Sequence, residues 1–256
     1  MPYLRPAWAE VDTGAVTANV RALRACVGSG VAFMAVVKAD AYGHGDVECA
    51  RAALAGGADR LGIATIEEGV HLREAGVTAP VHMLVEPPAS GAPLVVAHRL
   101  VPTVFTKEAA IALSRAAERA GETVDFHLKV DTGMNRIGVR AEEAAEFAET
   151  LAALPGLRME GVFTHFATAE VPGDWDFDAQ LERFGEALET MRERGIRTGV
   201  VHAANSAAAV LRPESRFDMV RCGIAVYGLH PADSTRGRVD LTPAMSVKAK
   251  VARVQR

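Results

Sequence analysis

The chain has no apolar run long enough to span a membrane, and no apolar core follows its opening Met1-Pro2-Tyr3-Leu4-Arg5 to make an export signal. Membrane insertion and secretion are therefore not expected, and the cytoplasm is the expected location. Cysteine is scarce. Cys26, Cys49 and Cys222 are far apart, odd in number and without metal-ligand spacing, so they read as thiols in a reducing compartment. No metal is expected. Excess charge is also lacking: 28 basic against 32 acidic residues give a net charge of −4, with no basic stripe to hold nucleic acid or an anionic membrane. No low-complexity segment is evident, and no linker divides the chain before residue 233. What is present is a globular composition, 49% hydrophobic and 23% charged over 256 residues, enough for one large domain or two small ones.

Lysine is scarce too, only five of the 28 basic residues, which draws attention to Lys38. It closes the apolar run Val31–Val37 and precedes Ala39-Asp40-Ala41-Tyr42-Gly43-His44-Gly45. An amine at the end of a buried strand is expected to lose its charge readily and to attack an aldehyde, which makes it a Schiff-base candidate. The ordinary alternative is a lysine at a strand tip with its head in water.

Short apolar runs alternate with helical stretches along the whole chain. The expected strands are 31–37, 60–65, 80–85, 101–105, 124–130, 159–165, 199–203 and 219–223. Asp12 or Thr13 is placed to cap a first helix, whose apolar positions Val16, Val20, Leu23 and Val27 share one face. Further helices are expected over 107–120, between Thr106 as cap and Gly121 as stop, and over about 141–154 and 178–194. Eight such units predict a parallel (β/α)₈ TIM-type barrel. An open doubly wound sheet is the alternative, but its glycine-rich dinucleotide turn is replaced here by Lys38-Ala39-Asp40-Ala41. Near the end, Met245–Val254 alternates like a half-exposed strand of a new element.

In such barrels chemistry sits at the C-terminal ends of the strands. Ionisable residues recur there: Lys38; His127, Lys129 and Asp131; His165; His202; and Asp218 with Arg221. Each has an ordinary reading. A lone histidine is usually structural, Arg221 could pair with Asp218, and Asn205-Ser206 could simply cap a helix. Together they say more. Ser206 and Gly223 follow the seventh and eighth strands, where barrels commonly bind phosphate. A Schiff-base lysine, a phosphate site and a buried arginine suggest pyridoxal 5′-phosphate (PLP).

The block Ala35–Gly45 around Lys38 resembles the PLP-lysine signature of the alanine racemases. The resemblance continues through Lys129–Gly138, Gly161–Ala167, His202–Ser206 and Val220–Gly228. It implies a PLP-dependent isomerase that interconverts L- and D-alanine, the latter supplied for peptidoglycan. Lys38 would be both the Schiff-base lysine and one of two acid–base groups. Tyr42, Ser206 and the backbone of Gly223 and Ile224 would hold the phosphate. Arg221 would face the pyridine nitrogen, supported by His165 and His202. Arg136 would contact cofactor and substrate, and Asn205 would lie behind the site. Lys129 corresponds to a lysine that is carbamylated in many members; its alternative is an unmodified amine reaching Asp131 or solvent.

The family's second acid–base group is a tyrosine of a β-rich second domain, supplied across a homodimer interface. This chain contains only Tyr3, Tyr42 and Tyr227, none in that motif. The expected organisation is a barrel over 1–232, with residues 8–11 paired to the β domain, and a linker and first strand of an incomplete β domain over 233–256. Low activity is expected of this chain alone. Two other functions are the alternatives: a non-catalytic PLP-binding or carrier barrel, and a racemase of another small amino acid such as serine. Single-domain carrier relatives do not share the 39–45 segment.

Overall fold

Eight of the apolar runs form parallel strands that close into a ring. The computed structural model describes residues 6–171 and 173–255; Tyr3 and the rest of the opening segment, Pro172 and Arg256 lie outside them. The strands are β1 (Ala7–Val11), β2 (Ala32–Val36), β3 (Arg60–Ile63), β4 (Val81–Met83), β5 (Thr103–Val104), β6 (Val124–Asp131), β7 (Val139–Arg140), β8 (Leu157–Phe163), β9 (Val200–His202), β10 (Met219–Cys222) and β11 (Met245–Ala249). The ring runs β4-β3-β2-β10-β9-β8-β6-β5. It closes where Val101, just ahead of β5, accepts from Met83 N at 2.8 Å and donates to Val81 O at 2.9 Å. The architecture is the expected (β/α)₈ barrel. Its strands are near-continuously buried because helices cover one side and the packed interior the other.

The helices begin and end where local chemistry dictates. Asp12 Oδ1 accepts from Ala15 N, and the helix Thr13–Val27 buries Val16, Val20, Leu23 and Val27 on one face. Thr106 Oγ1 accepts from Ala109 N to start Lys107–Ala120, and Gly121 ends it in the left-handed conformation. After β10 the short turn Ile224–Tyr227 stands in place of a long helix. The first helix packs there, with Asn19 Nδ2 donating to Val226 O at 3.1 Å and Thr242 O at 2.8 Å.

Two elements lie off the ring. β7 pairs in parallel with the end of β6, Val130 opposite Val139, and so ties back the loop that carries Arg136. β1 and β11 form an antiparallel pair of their own, with Val11 opposite Met245 and Ala7 opposite Ala249.

Between β6 and β8 the register shifts. Phe126 pairs with Met159 and His127 with Gly161, so Glu160 has no partner across the ladder. Such a bulge turns the extra residue's side chain out of the normal alternation.

Candidate active site

Lys38 follows β2 and opens a tight turn of unusual hand. Ala39, Asp40, Ala41 and Tyr42 all lie in the left-handed region, with φ between 52° and 56°. For L-residues that conformation costs roughly 1–2 kcal/mol each, so four in succession require support from outside. Glu68 provides it: Oε1 accepts from Ala39 N at 2.7 Å while Oε2 accepts from Ala64 N at 2.7 Å. Asp40 O accepts from Gly45 N, and its carboxylate accepts from Asp46 N at 3.0 Å. The turn holds Lys38 and the Tyr42 ring at one cavity of about 600 Å³. Lys38 is half-buried there.

Lys38, Tyr42, Ser206, Gly223 and Ile224 share that cavity with Asn205. A Cβ at position 223 would stand 2.5 Å from Tyr42 Oη, so only glycine admits the phenol so close. Burial raises the Tyr42 pKa, which keeps its hydroxyl protonated. Ser206 Oγ accepts from Gly223 N at 2.9 Å, so this backbone donor is engaged within the protein. Asn205 acts as the N-cap of helix Ser206–Leu211, its side chain accepting from Ala208 N. Hydroxyl groups and backbone of this kind suit a phosphate, which meets the demand of the expected cofactor's anionic end.

On the opposite wall are Lys129, Arg136, His165 and Arg221. Arg221 is buried and does not pair with Asp218, whose carboxylate instead accepts from Val201 N. NH1 of Arg221 donates to His202 Nδ1 at 3.0 Å. NH2 donates to Thr164 O at 2.8 Å, to Ala203 O at 2.9 Å and to His165 Nδ1 at 3.2 Å. These bonds engage both terminal nitrogens of the guanidinium. Burial, with Arg136 nearby, pulls the guanidinium pKa down to about 9, so it stays cationic at neutral pH. Burial, together with the Arg221 charge, keeps His165 and His202 neutral, which both need if they are to accept from Arg221.

Lys129 is buried and donates to Val130 O at 2.8 Å; it reaches neither Asp131 nor solvent. Burial first, then the charges of Arg221 and Arg136 against that of Asp131, lowers its amine to about 7. Arg136 is exposed on its loop above the cavity.

Every expected site residue except His202 lines this cavity; His202 lies beneath it, against Arg221. Sequence reasoning missed two supporting residues, Glu68 and Glu160, and the role of a third, His127. Glu68 was signalled only by the Thr65-x-x-Glu68 capping box, which is formed. His127 stood in a recognised segment, but nothing local shows that its Nδ1 lies 2.7 Å from His202 Nε2. Glu160 carried no signal beyond a carboxylate in a strand.

Comparison with known proteins agrees with the geometry. The family described as "Alanine racemase, N-terminal domain" matches residues 11–231. The chain is 45% identical over 251 residues to an alanine racemase of Desulfovibrio desulfuricans, covering 98% of this chain and 68% of the relative. It is 46% identical to one of Symbiobacterium thermophilum, covering 98% and 67%. Among solved structures, alanine racemase of Clostridium difficile in complex with cycloserine superposes with a TM-score of 0.94 at 32% identity, over 99% of this chain and 70% of that one. The Streptomyces coelicolor alanine racemase superposes at 0.91 with 40% identity, over 98% and 68%. The chain thus spans about two thirds of the length of these relatives.

Proposed function

Because this chain belongs to the alanine racemase family, we propose that it is an isomerase of L- and D-alanine that works with PLP in the cavity above Arg221. One observation carries the reading: a lysine amine, a set of phosphate-type donors and a buried guanidinium converge on a single cavity. Tyr42, Ser206 and the Gly223–Ile224 turn would hold the phosphate, Arg221 the ring nitrogen, Arg136 the phenolic oxygen and Lys38 the aldehyde carbon. When bound, PLP supplies that aldehyde and a conjugated ring that spreads the electron pair left when Cα loses its proton.

The chain's own residues supply one face of the reaction. Lys38 exchanges the Cα proton on one face, a transfer that needs its amine within hydrogen-bond reach of Cα; inversion needs a second acid–base group on the other face, a role expected of a tyrosine that is not Tyr3, Tyr42 or Tyr227. Arg221 keeps its own proton at neutral pH and offers the ring nitrogen a donor rather than a proton. That weakens electron withdrawal and favours return of the proton to Cα over transamination. Arg136 offers the substrate carboxylate a two-pronged cation.

Lys129 is the site of a carbamate in this reading: the neutral amine adds CO₂ and releases one proton, and the resulting anion pairs with Arg136. Its low pKa supports this, because only the free amine reacts. The wider setting proposed is a cytoplasmic homodimer that supplies D-alanine for cell-wall peptidoglycan; no described helix is long and apolar enough to cross a membrane. The carrier reading is less favoured, since the relatives above are named for racemisation.

The test is direct. The protein should take up PLP with a visible absorbance band that borohydride bleaches, and Lys38→Ala should abolish the borohydride-fixed adduct. Alanine in deuterated water should then exchange its Cα proton, one enantiomer faster than the other if Lys38 works one face. An equal yield of adduct in Lys38→Ala would refute the lysine assignment. Adduct formation without any Cα exchange would favour the carrier reading.

A further inference from the structure

Arg221 is a buried cation whose bonding partners are all neutral: two carbonyls and two imidazoles. A buried charge without a counter-ion in contact is costly. The anion lies at the other end of the barrel, joined to Arg221 by an unbroken line of hydrogen bonds. Arg221 NH1 meets His202 Nδ1 at 3.0 Å, and His202 Nε2 meets His127 Nδ1 at 2.7 Å. His127 Nε2 meets Glu160 Oε2 at 3.1 Å, and Glu160 is gripped by both terminal nitrogens of Arg60 at 2.8 and 2.5 Å.

The polarity of this line is determined from both ends. Arginine only donates and a carboxylate only accepts, while a neutral imidazole has one donor and one acceptor nitrogen. His202 must therefore accept at Nδ1 and donate from Nε2; His127 must do the same, toward Glu160. The two ends demand the same tautomers. Burial of Glu160 would raise its pKa, but the hydrogen bonds from His127 and Arg60 outweigh it and hold the carboxyl well below the usual range, so it remains an acceptor.

The backbone is shaped for this line. Glu160 is the bulged residue between β6 and β8, which turns its carboxylate toward His127. Its neighbour Gly161 leaves room for the imidazole, since a Cβ there would come within 2.6 Å of His127 Cε1. His82, His127 and His202 are near enough to bracket an ion. The line nevertheless leaves His202 Nε2 as a donor and His127 Nδ1 already occupied, so of the three only neutral His82 keeps a free lone pair, on one nitrogen.

We propose that Glu160, held by Arg60, is a positioning residue for Arg221, acting through the fixed tautomers of His127 and His202 to keep the guanidinium at the cavity floor. Its consequence for the cofactor's ring nitrogen rests on the reading of the previous section; the tautomers themselves do not. Without an acceptor at 160, the buried His127 N–H is relieved most cheaply by moving its proton to Nδ1. That drives His202 to carry a proton on Nδ1 as well, facing the Arg221 donor, and loosens the guanidinium.

The test is a ¹⁵N-detected imidazole and guanidinium spectrum of the full chain without cofactor. His127 and His202 are expected as neutral Nε2–H forms, with the two Nη groups of Arg221 resolved by slow rotation. In Glu160→Gln the amide oxygen can still accept, and the pattern should persist. In Glu160→Leu, Nδ1–H forms should appear, the Nη signals should merge, and the PLP dissociation constant should rise roughly ten-fold. An imidazolium or an Nδ1–H form at either histidine in the unsubstituted protein overturns the proposal even if Glu160→Leu does not fold. So does a Glu160→Leu protein whose Arg221 signals are unchanged. Failure of the unsubstituted protein to bind PLP would sink the proposed function and leave the tautomer result standing.

Discussion

Gly161 packs directly against the ring of His127: a methyl group at position 161 would sit 2.6 Å from Cε1, 2.7 Å from Nδ1 and 2.5 Å from Val200 O. Backbone and a buried ring surround it, so the contact cannot be relieved by a flexible side chain. Gly161→Ala is therefore expected to destabilise the protein by about 2–3 kcal/mol through overpacking. Urea unfolding measures this. A variant as stable as the parent would show that the strand can shift and that the glycine is incidental.

His82 makes the opposite prediction. Both its ring nitrogens are buried without a partner, and the ring packs edge-on to His127 at 4.5 Å. An unsatisfied buried polar group costs about 1–3 kcal/mol. His82→Leu, of similar volume, should leave stability at neutral pH unchanged or raise it by about 1 kcal/mol.

The same substitution should alter acid stability. Burial holds His82, His127, His165 and His202 below the usual histidine pKa. Below about pH 6.5 the unfolded chain takes up protons that the folded one refuses, so stability falls as the pH drops. Each such histidine contributes up to about 1.4 kcal/mol per pH unit. His82→Leu should therefore lose less stability than the parent between pH 7 and pH 5, read by urea titration at both. Equal losses would mean that His82 is protonated in the fold.

Lys129 offers a chemical readout. With its amine near 7, roughly ten neutral amines stand for each charged one at pH 8, and the ratio reverses at pH 6. Incubation with ¹³C-labelled bicarbonate should give a carbamate resonance at pH 8 that fades toward pH 6 and is missing from Lys129→Ala. A resonance that survives in Lys129→Ala would place the modification elsewhere.

Glu68 should matter beyond its helix. Glu68→Ala frees the backbone donors of Ala39, Ala64 and Thr65. The capping loss alone is about 1 kcal/mol, and the turn bearing Lys38 should loosen with it. Weaker PLP uptake at nearly intact stability is the expected result, measured by absorbance titration beside thermal melts. Unchanged uptake would mean that the turn holds itself.

Much of the barrel was legible in the sequence, for a physical reason. Strands buried on both faces must be apolar throughout, so runs such as 31–37 and 219–223 stand out, and helix 107–120 announces both ends through Thr106 and Gly121. Lys38, Lys129, His165 and Arg221 stood out as candidates because a charge or an imidazole there interrupts or ends an apolar run. The left-handed turn was not. Ala39, Asp40, Ala41 and Tyr42 have no local preference for φ near 53°, and only contacts distant in sequence hold them there. The bulge at Glu160 was hidden too, because a strand's pairing partner decides where its register slips. The strand expected from Met159 begins two residues earlier, at Leu157. The β1–β11 pair depends on segments at opposite ends of the chain meeting in space.

The turn after Lys38 also depends on residues that follow it in the chain. Its support, Glu68, lies 29 residues beyond Ala39. A growing chain that has reached only Gly45 can form the bonds from Ala41 N to Val37 O and from Gly45 N to Asp40 O, yet it lacks the carboxylate that anchors Ala39 N. Four strained residues cannot hold their hand on local bonds alone. Full anchoring of the Lys38 turn therefore requires the helix Ile66–Glu74, which carries Glu68, in place beside it. The cavity draws its walls from residues between Val36 and Pro231, so whatever it binds needs nearly the whole barrel in place.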